Sequence, residues 1–526
     1  MIRTSRVICR RSLVIALVVL AALAVPAIQP AAAQEVTPDR VTAAVAQLDT
    51  LAQQTLQRTG VPGMAIAVVY QDQVVYMQGF GVREAGKEGR VDPDTVFQLA
   101  SVSKPIGSTL MAMLVGEGVI TWDDPIVSHL PSFALADPFV TSNVTLRDMY
   151  SHRSGLPEYA GDLLECLGFP REQILHNLRY LALGDRFRAD YAYTNFGITA
   201  AGVAAARAAG GTWEDVITER LFTPLGMTST SPRSADFFAR ADRAYGHVLE
   251  DGRYVAKYRR DPDTESPAGG VSSSVRDLTQ WLRLQLGNGA IDGKQLVDAA
   301  ALGETHVPQI VRSQPQNPST DRAGFYGLGW NVDYTNEGAV QLSHSGAFDL
   351  GAATTVYMLP ASDLGIVVLT NAAPVGAPEA VALSFIDLAT TGAVSRDWLA
   401  ALQPLFDALY AAGAGYATDY SNPPTPPAPA LPLSAYTGAY RNDFFGEIEI
   451  VEQDNGLVIL QGPMKMASPM RHYDHDLFIY QPTGESAGGL SGVTFTIGPD
   501  GKAVSVVVEN LNIHGVGTFT RVTETP

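Results

Sequence analysis

Between Ser421 and Pro432 the chain places six prolines in twelve residues, Ser-Asn-Pro-Pro-Thr-Pro-Pro-Ala-Pro-Ala-Leu-Pro. Each proline lacks the amide donor that a helix or inner strand needs and holds the backbone extended, so no packed element crosses this stretch. The sequence therefore divides into a large unit over residues 34–415 and a small one over 433–526, joined by an extended, semi-rigid linker at 416–432. With 46% of its residues hydrophobic, the chain has enough apolar surface for a substantial buried core.

Residues 1–33 read as a processing segment rather than as structure. Arg3, Arg6, Arg10 and Arg11 precede an apolar run from Leu13 to Val25 that is short for a bilayer span, and Ala31-Ala32-Ala33 supplies small residues for cleavage before Gln34. The expectation is a periplasmic or secreted protein with no stable membrane span after the leader is removed. Loss of its four arginines takes the formal charge from −18 to −22, which argues against a nucleic-acid partner. Cys9 leaves with the leader and Cys166 remains, which excludes an internal disulfide; Cys166 reads as a small apolar filler rather than a thiol nucleophile.

In the large unit, Thr37 to Thr59 predicts one opening helix, with Thr37 as cap, Pro38 at the first position, and Val41, Val45, Leu48, Leu51 and Leu56 on one face. Met64–Tyr70 and Val74–Phe80 predict a hairpin, and Ala353–Leu359 and Gly365–Thr370 a similar pair far downstream. Strands from both ends with helical periodicity between them predict an α/β fold, one antiparallel sheet covered by helices. Beyond the linker, the short runs Glu447–Val451, Leu457–Leu460, Leu477–Tyr480, Val493–Ile497, Ala503–Val508 and Thr518–Val522 predict a small all-β barrel or sandwich, with Asn455-Gly456 as a hairpin turn.

Two serines compete for the role of nucleophile. Gly484-Glu485-Ser486-Ala487-Gly488 fits the G-x-S-x-G elbow, with Asp500 and His514 following in triad order. An elbow needs a helix after its serine, whereas strands follow here, and the forty residues left are too few for a hydrolase sheet. Asp500 has an ordinary place in a Pro-Asp-Gly turn, so Ser486 is expected to be dispensable. Ser101 and Lys104, in "FQLASVSKPIGSTLMAML", make a stronger pair. At i, i+3 on a helix both side chains share one face, so the amine can bond the hydroxyl. Ile106, Leu110, Met113 and Leu114 give that helix a buried stripe, Pro105 is harmless in its first turn, and Ser101 at its start gains from exposed amides and the positive end of the dipole. Lys104 is the one lysine of six with a serine three residues before it. Taken alone, the spacing fits a helix cap followed by a solvated lysine as well.

Two further motifs join it in chain order. "DYAYTNFGITAAG" sets Tyr193 and Asn195 two apart before an alanine-rich helical run, and "LSHSGAFDLG" sets His344, Ser345, Gly346 and Ala347 ahead of the downstream strand pair, an edge suited to pairing with an extended substrate. With "SVSK", "YTN" and "HSG", and with "LRDMYSHRSGLPEY", "LFTPLGMTST", "PAGGVSSSVRDLTQWL" and "YGLGW" as accessory segments, the chain resembles the serine β-lactamase and penicillin-binding protein superfamily, on the class C β-lactamase and DD-peptidase side, over roughly residues 37–400. The tail, "YTGAYRNDFFGEIEIVEQDNGLVI", is similar to the lipocalin-like barrels attached to such hydrolases.

That resemblance implies a β-lactamase/transpeptidase-like fold and an acyl-enzyme on Ser101. It implies Lys104 assisting deprotonation of the serine and Tyr193 as general base or proton relay, a task for a phenol only where a cation favours its ionised form. Asn195 would donate to the substrate amide carbonyl, and the N–H groups of Ser101 and Ala347 would form the oxyanion hole. The sequence departs from class C enzymes at His344, where they carry a lysine, and loses a fixed charge for a substrate carboxylate. The expected substrates are D-amino-acid-containing peptides or small esters, with weak β-lactam turnover. Two other readings are a penicillin-binding or cell-wall-peptide-binding protein without turnover, and a functional barrel on a scaffold. No cofactor is expected: no phosphate loop or dinucleotide fingerprint occurs, and His472 and His475 lack partners at metal-ligand spacing. His152 is expected to pack within a structural loop.

Overall fold

Gln71 and Asp72 both take positive φ, 50° and 60°, the geometry of the two-residue hairpin turn that matches strand twist. They join Gly63–Tyr70 to Gln73–Gly81, the hairpin that the two apolar runs predict. The computed structural model describes residues 36–184, 186–335, 338–413, 418–485 and 487–523. The leader at 1–33 and Ser486 lie outside the described residues.

The sheet runs Gln73–Gly81, Gly63–Tyr70, Leu364–Thr370, Ala352–Leu359, Val340–Phe348, Asn331–Tyr334, Gly324–Tyr326, Ile310–Ser313, with every pairing antiparallel. The two ends of the large unit meet where Met64 pairs with Thr370 and Tyr70 with Leu364. Strand Gly63–Tyr70 is buried throughout because both of its faces are covered. Met64, Ile66 and Val68 pack with helix Ala377–Thr391, whereas Ala65, Ala67 and Val69 join the core that contains helices Ser103–Gly116 and Val275–Leu286. That is why the strand reads as a continuous apolar run.

Two expectations need correction. The opening helix is two, Pro38–Val45 and Leu48–Thr59, separated at Ala46-Gln47, and each lays its buried side, Val41 and Ala44 then Leu48 and Ala52, into the core formed with Ala377–Thr391. Helix Ser103–Gly116 carries no one-sided stripe: every residue from Ser103 to Leu114 is buried, because other elements surround it. The proline segment lies along the barrel, with Ala428 N–H donating to Asp474, His475 N–H to the Ala428 carbonyl, and Leu431 N–H to the Tyr436 hydroxyl.

The C-terminal part is a closed eight-stranded barrel. Six strands follow the predicted runs; Gly438–Asn442 and Met466–Asp474 were not predicted. Pro469 within the second reads as a breaker, and the first is short. The tight turn falls one residue earlier than Asn455-Gly456: Asp454 and Asn455, with φ of 51° and 61°, are its central residues, and Gly456 opens the next strand. Among the described residues, no helix is long and apolar enough to cross a membrane.

Candidate active site

Ser101 sits in the single 3-10 turn Ala100–Val102 that runs into helix Ser103–Gly116. Ala100 immediately before it holds φ at 48°, a strained value for a residue with a Cβ. The turn and helix place Lys104 under the serine with its side chain wholly buried. Its ammonium has three hydrogen-bond donors, and three acceptors surround it: Ser101 Oγ at 2.9 Å, Asn195 Oδ1 at 2.7 Å and the Ala268 carbonyl at 3.0 Å. Burial brings Lys104 down to about 8, against the opposing pull of the Glu265 and Asp162 carboxylates. A solvated lysine behind a helix cap is thereby excluded.

Tyr193 approaches from the loop before helix Asn195–Ala208 and donates to Ser101 Oγ at 2.7 Å. Its ring lies 4.7 Å from Lys104 Nζ. Burial pushes its hydroxyl well above a phenol's ordinary value, outweighing the bond to Ser101. The phenolate is therefore disfavoured, and a relay fits Tyr193 better than a base does. His152 braces this tyrosine. Its ring lies 4.5 Å from that of Tyr193, and its Nδ1 accepts from the Thr194 N–H at 3.1 Å. Asn195, the first residue of its helix, donates from Nδ2 to Asp162 at 2.8 Å while its oxygen faces Lys104.

The segment His344-Ser345-Gly346-Ala347 belongs to strand Val340–Phe348, which is interior to the sheet rather than at its edge. The expected edge exists only locally. The neighbouring strand Asn331–Tyr334 pairs no further than Ser343, so on that side the strand is unpaired from His344 onward, and at Gly346 it packs against the turn that carries Ser101. Gly346 is required there. A Cβ on it would collide with the Leu99 carbonyl and lie 2.9 Å from Ser101 N. We expect Gly346→Ala to leave a folded protein with kcat reduced about 100-fold, the scale of a small misplacement of reacting groups; wild-type kcat in the variant would contradict this close packing.

His344 is buried, and its Nδ1 donates to the Ser345 carbonyl at 2.8 Å, so Nε2 accepts from the Tyr326 hydroxyl at 3.0 Å. Burial and the Lys104 charge bring it down to about 3, and it is neutral near pH 7. Ser345 faces Thr355 at 3.0 Å, on the side of the strand away from the nucleophile.

Four residues near the site went unread in the sequence. Asp162, raised to about 7 by burial and Glu165, and Glu265, held well above the ordinary carboxyl range by burial and Glu165, surround Lys104 with carboxyl groups. Arg260 bridges Glu165 at 2.9 Å and Glu265 at 2.7 Å. Glu485 reaches the same cluster from the barrel. Nothing local marks Asp162, which lies 33 residues from the asparagine it holds. Of the competing serine, aspartate and histidine, Ser486 lies outside the described residues, and Asp500 accepts from the Lys502 N–H in a turn between strands, at 3.1 Å.

The chain is similar to known proteins in sequence and fold. A sequence model of the beta-lactamase family matches residues 48–391, and a second, of a domain of unknown function (DUF3471), matches residues 422–518. The chain is 26% identical to an unguisins hydrolase (ungD) of Aspergillus violaceofuscus over 421 residues, 74% of each protein. It is 29% identical to penicillin-binding protein 4 of Amycolatopsis lactamdurans over 320 residues, 59% of this chain and 81% of that protein. Its fold matches that of an octameric penicillin-binding protein homologue from Pyrococcus abyssi, with a TM-score of 0.58 at 19% identity, over 88% of this chain and 98% of that one. A class C β-lactamase from Rhodobacter sphaeroides matches with a TM-score of 0.53 at 22% identity, over 65% and 97%. With its three motifs gathered around one buried lysine and the family match spanning most of the large unit, the chain belongs to the β-lactamase family of serine hydrolases and penicillin-binding proteins.

Proposed function

We propose that this protein is an exported hydrolase that cleaves amide or ester bonds through an acyl-enzyme on Ser101, with D-amino-acid-containing peptides or small esters as substrates. The observation that carries this reading is the double hydrogen bonding of Ser101 Oγ, to Lys104 Nζ at 2.9 Å and to the Tyr193 hydroxyl at 2.7 Å. Neutral Lys104 takes the serine proton as Oγ attacks the carbonyl carbon, and the N–H groups of Ser101 and Ala347 receive the charge on the carbonyl oxygen. Collapse of the tetrahedral adduct expels the amine or alcohol, which receives the proton from Lys104 through the Tyr193 hydroxyl. Water then attacks the ester on Ser101 and gives its proton to the same pair, which returns it to Ser101 Oγ as the carbon–Oγ bond breaks and the acid leaves. Export follows from the arginine-rich start, the short apolar run and Ala31-Ala32-Ala33.

The substrate class rests on His344. A neutral, buried imidazole already bonded to Tyr326 offers no cation to a carboxylate such as that of a β-lactam. Loss of a charged hydrogen bond costs about 1.5–3 kcal/mol. Hydrolysis of a nitrophenyl ester, a D-alanyl peptide and a chromogenic cephalosporin should therefore give kcat/KM about 10- to 100-fold lower for the cephalosporin than for the best of the others. Equal or faster cephalosporin turnover would contradict the assignment. One relative's name, a hydrolase of unguisins, supports the hydrolase part of this reading.

A further inference from the structure

The segment Gly484-Glu485-Ser486-Ala487-Gly488 matters through its glutamate. Glu485 leaves the barrel and meets the end of the strand that carries Ala347. Its Oε1 accepts from the Asp349 N–H at 2.5 Å, and its Oε2 from the Leu350 N–H at 3.4 Å. Oε2 also lies 3.5 Å from Arg260 Nε, an ion pair without hydrogen-bond alignment. Arg260 is nearly buried and pairs with Glu165 and Glu265 of the hydrolase unit. Its guanidinium lies 4.7 Å from the ring centre of Phe348, and Phe348 packs with Ala100, the residue before the nucleophile, and with Ala352.

From these contacts we infer that Glu485 is a positioning residue for the hydrolase. By fixing the N–H groups of Asp349 and Leu350 and facing Arg260, it holds Phe348 against Ala100 and thereby sets the spacing between the Ala347 and Ser101 amides. The barrel is then a working wall of the active site. It is anchored independently on the helical side, where Asn177 Nδ2 donates to the Phe444 carbonyl at 2.7 Å and Gly462 packs on the Leu167 carbonyl. Removing the Glu485 carboxylate charge should therefore leave the barrel docked while loosening the strand end.

The inference rests on Ser101 being the nucleophile, and the test separates the two. Full-length wild type, Glu485→Gln and Glu485→Asp are compared for ester turnover, for the rate and mapped position of fluorophosphonate labelling, and for melting temperature. Glu485→Gln keeps the size and loses the charge; Glu485→Asp keeps the charge and falls short. Both should label completely at Ser101, with labelling rate and kcat reduced about tenfold, KM within twofold of wild type, and melting temperature unchanged. Wild-type kcat in folded Glu485→Gln and Glu485→Asp would overturn the inference, as would a loss confined to KM or a loss that tracks the unfolded fraction. Absence of Ser101 labelling in the wild type would overturn the acyl-enzyme reading instead.

Discussion

Replacing Ser101 with alanine will reduce turnover of every substrate by roughly 10⁶-fold, the scale on which nucleophile loss acts in other serine hydrolases, and will abolish the fluorophosphonate adduct. The hydroxyl is the point on which Lys104 and Tyr193 converge, at 2.9 and 2.7 Å, and both lose their common partner with it. The fold should persist, because Ser101 is a turn residue whose side chain fills little volume and the helix after it is held by buried neighbours from Ser103 to Leu114. Ser486→Ala is the matched control and should retain wild-type rates. Hydrolysis that survived Ser101→Ala and failed in Ser486→Ala would reverse the assignment.

The next largest effect belongs to Lys104. Lys104→Met keeps most of the volume and removes the base, so kcat should fall about 10³-fold, within the range for loss of general base catalysis. The wild-type pH profile makes the same case. Burial lowers Lys104 to about 8, and the reactive form is the neutral amine, so kcat/KM should rise as pH increases through about 8 and level off above it. That limb should disappear from the residual activity of Lys104→Met. Stability will suffer as well. The variant leaves Asn195 Oδ1 and the Ala268 carbonyl without the donor they now have and removes the cation from beside Asp162 and Glu265, costing about 1–3 kcal/mol for each unsatisfied buried group. A Lys104→Met rate profile that keeps the wild-type rise across pH 7–9 would exclude lysine as the base.

Much of this organisation was legible in the sequence because it is written in local chemistry. The hairpins announce themselves through paired apolar runs and the turn residues between them, and the catalytic serine through a spacing that a helix converts into contact. Lys104 illustrates the limit. A lysine three residues after a serine reads equally as solvated, and only the surrounding carbonyl, amide and carboxylates, contributed by segments up to 164 residues away, make it a buried base. The same holds for the buried helix Ser103–Gly116, whose unpredicted side is covered by elements distant in sequence. The segment at His344 read as an edge because it stands just ahead of the downstream strand pair; the sheet continues beyond it through Asn331–Tyr334, and the opening at His344 is a local break in pairing. Glu485 was hidden by its own motif, since a serine elbow drew the reading toward Ser486 while the adjacent carboxylate made the contact with Asp349 and Leu350.

The catalytic role of Ser101 is tested most directly by mixing the purified protein with excess nitrophenyl ester or benzylpenicillin and following its intact mass from milliseconds to hours. The account predicts an added acyl mass that maps to the peptide containing Ser101, forms at a rate that rises with pH through about 8 as Lys104 deprotonates, and then returns to the unmodified mass as the ester is hydrolysed. An adduct that forms on Ser101 and never decays with either compound would identify a binding protein without turnover. Turnover with no adduct, or an adduct on another residue, would contradict the account.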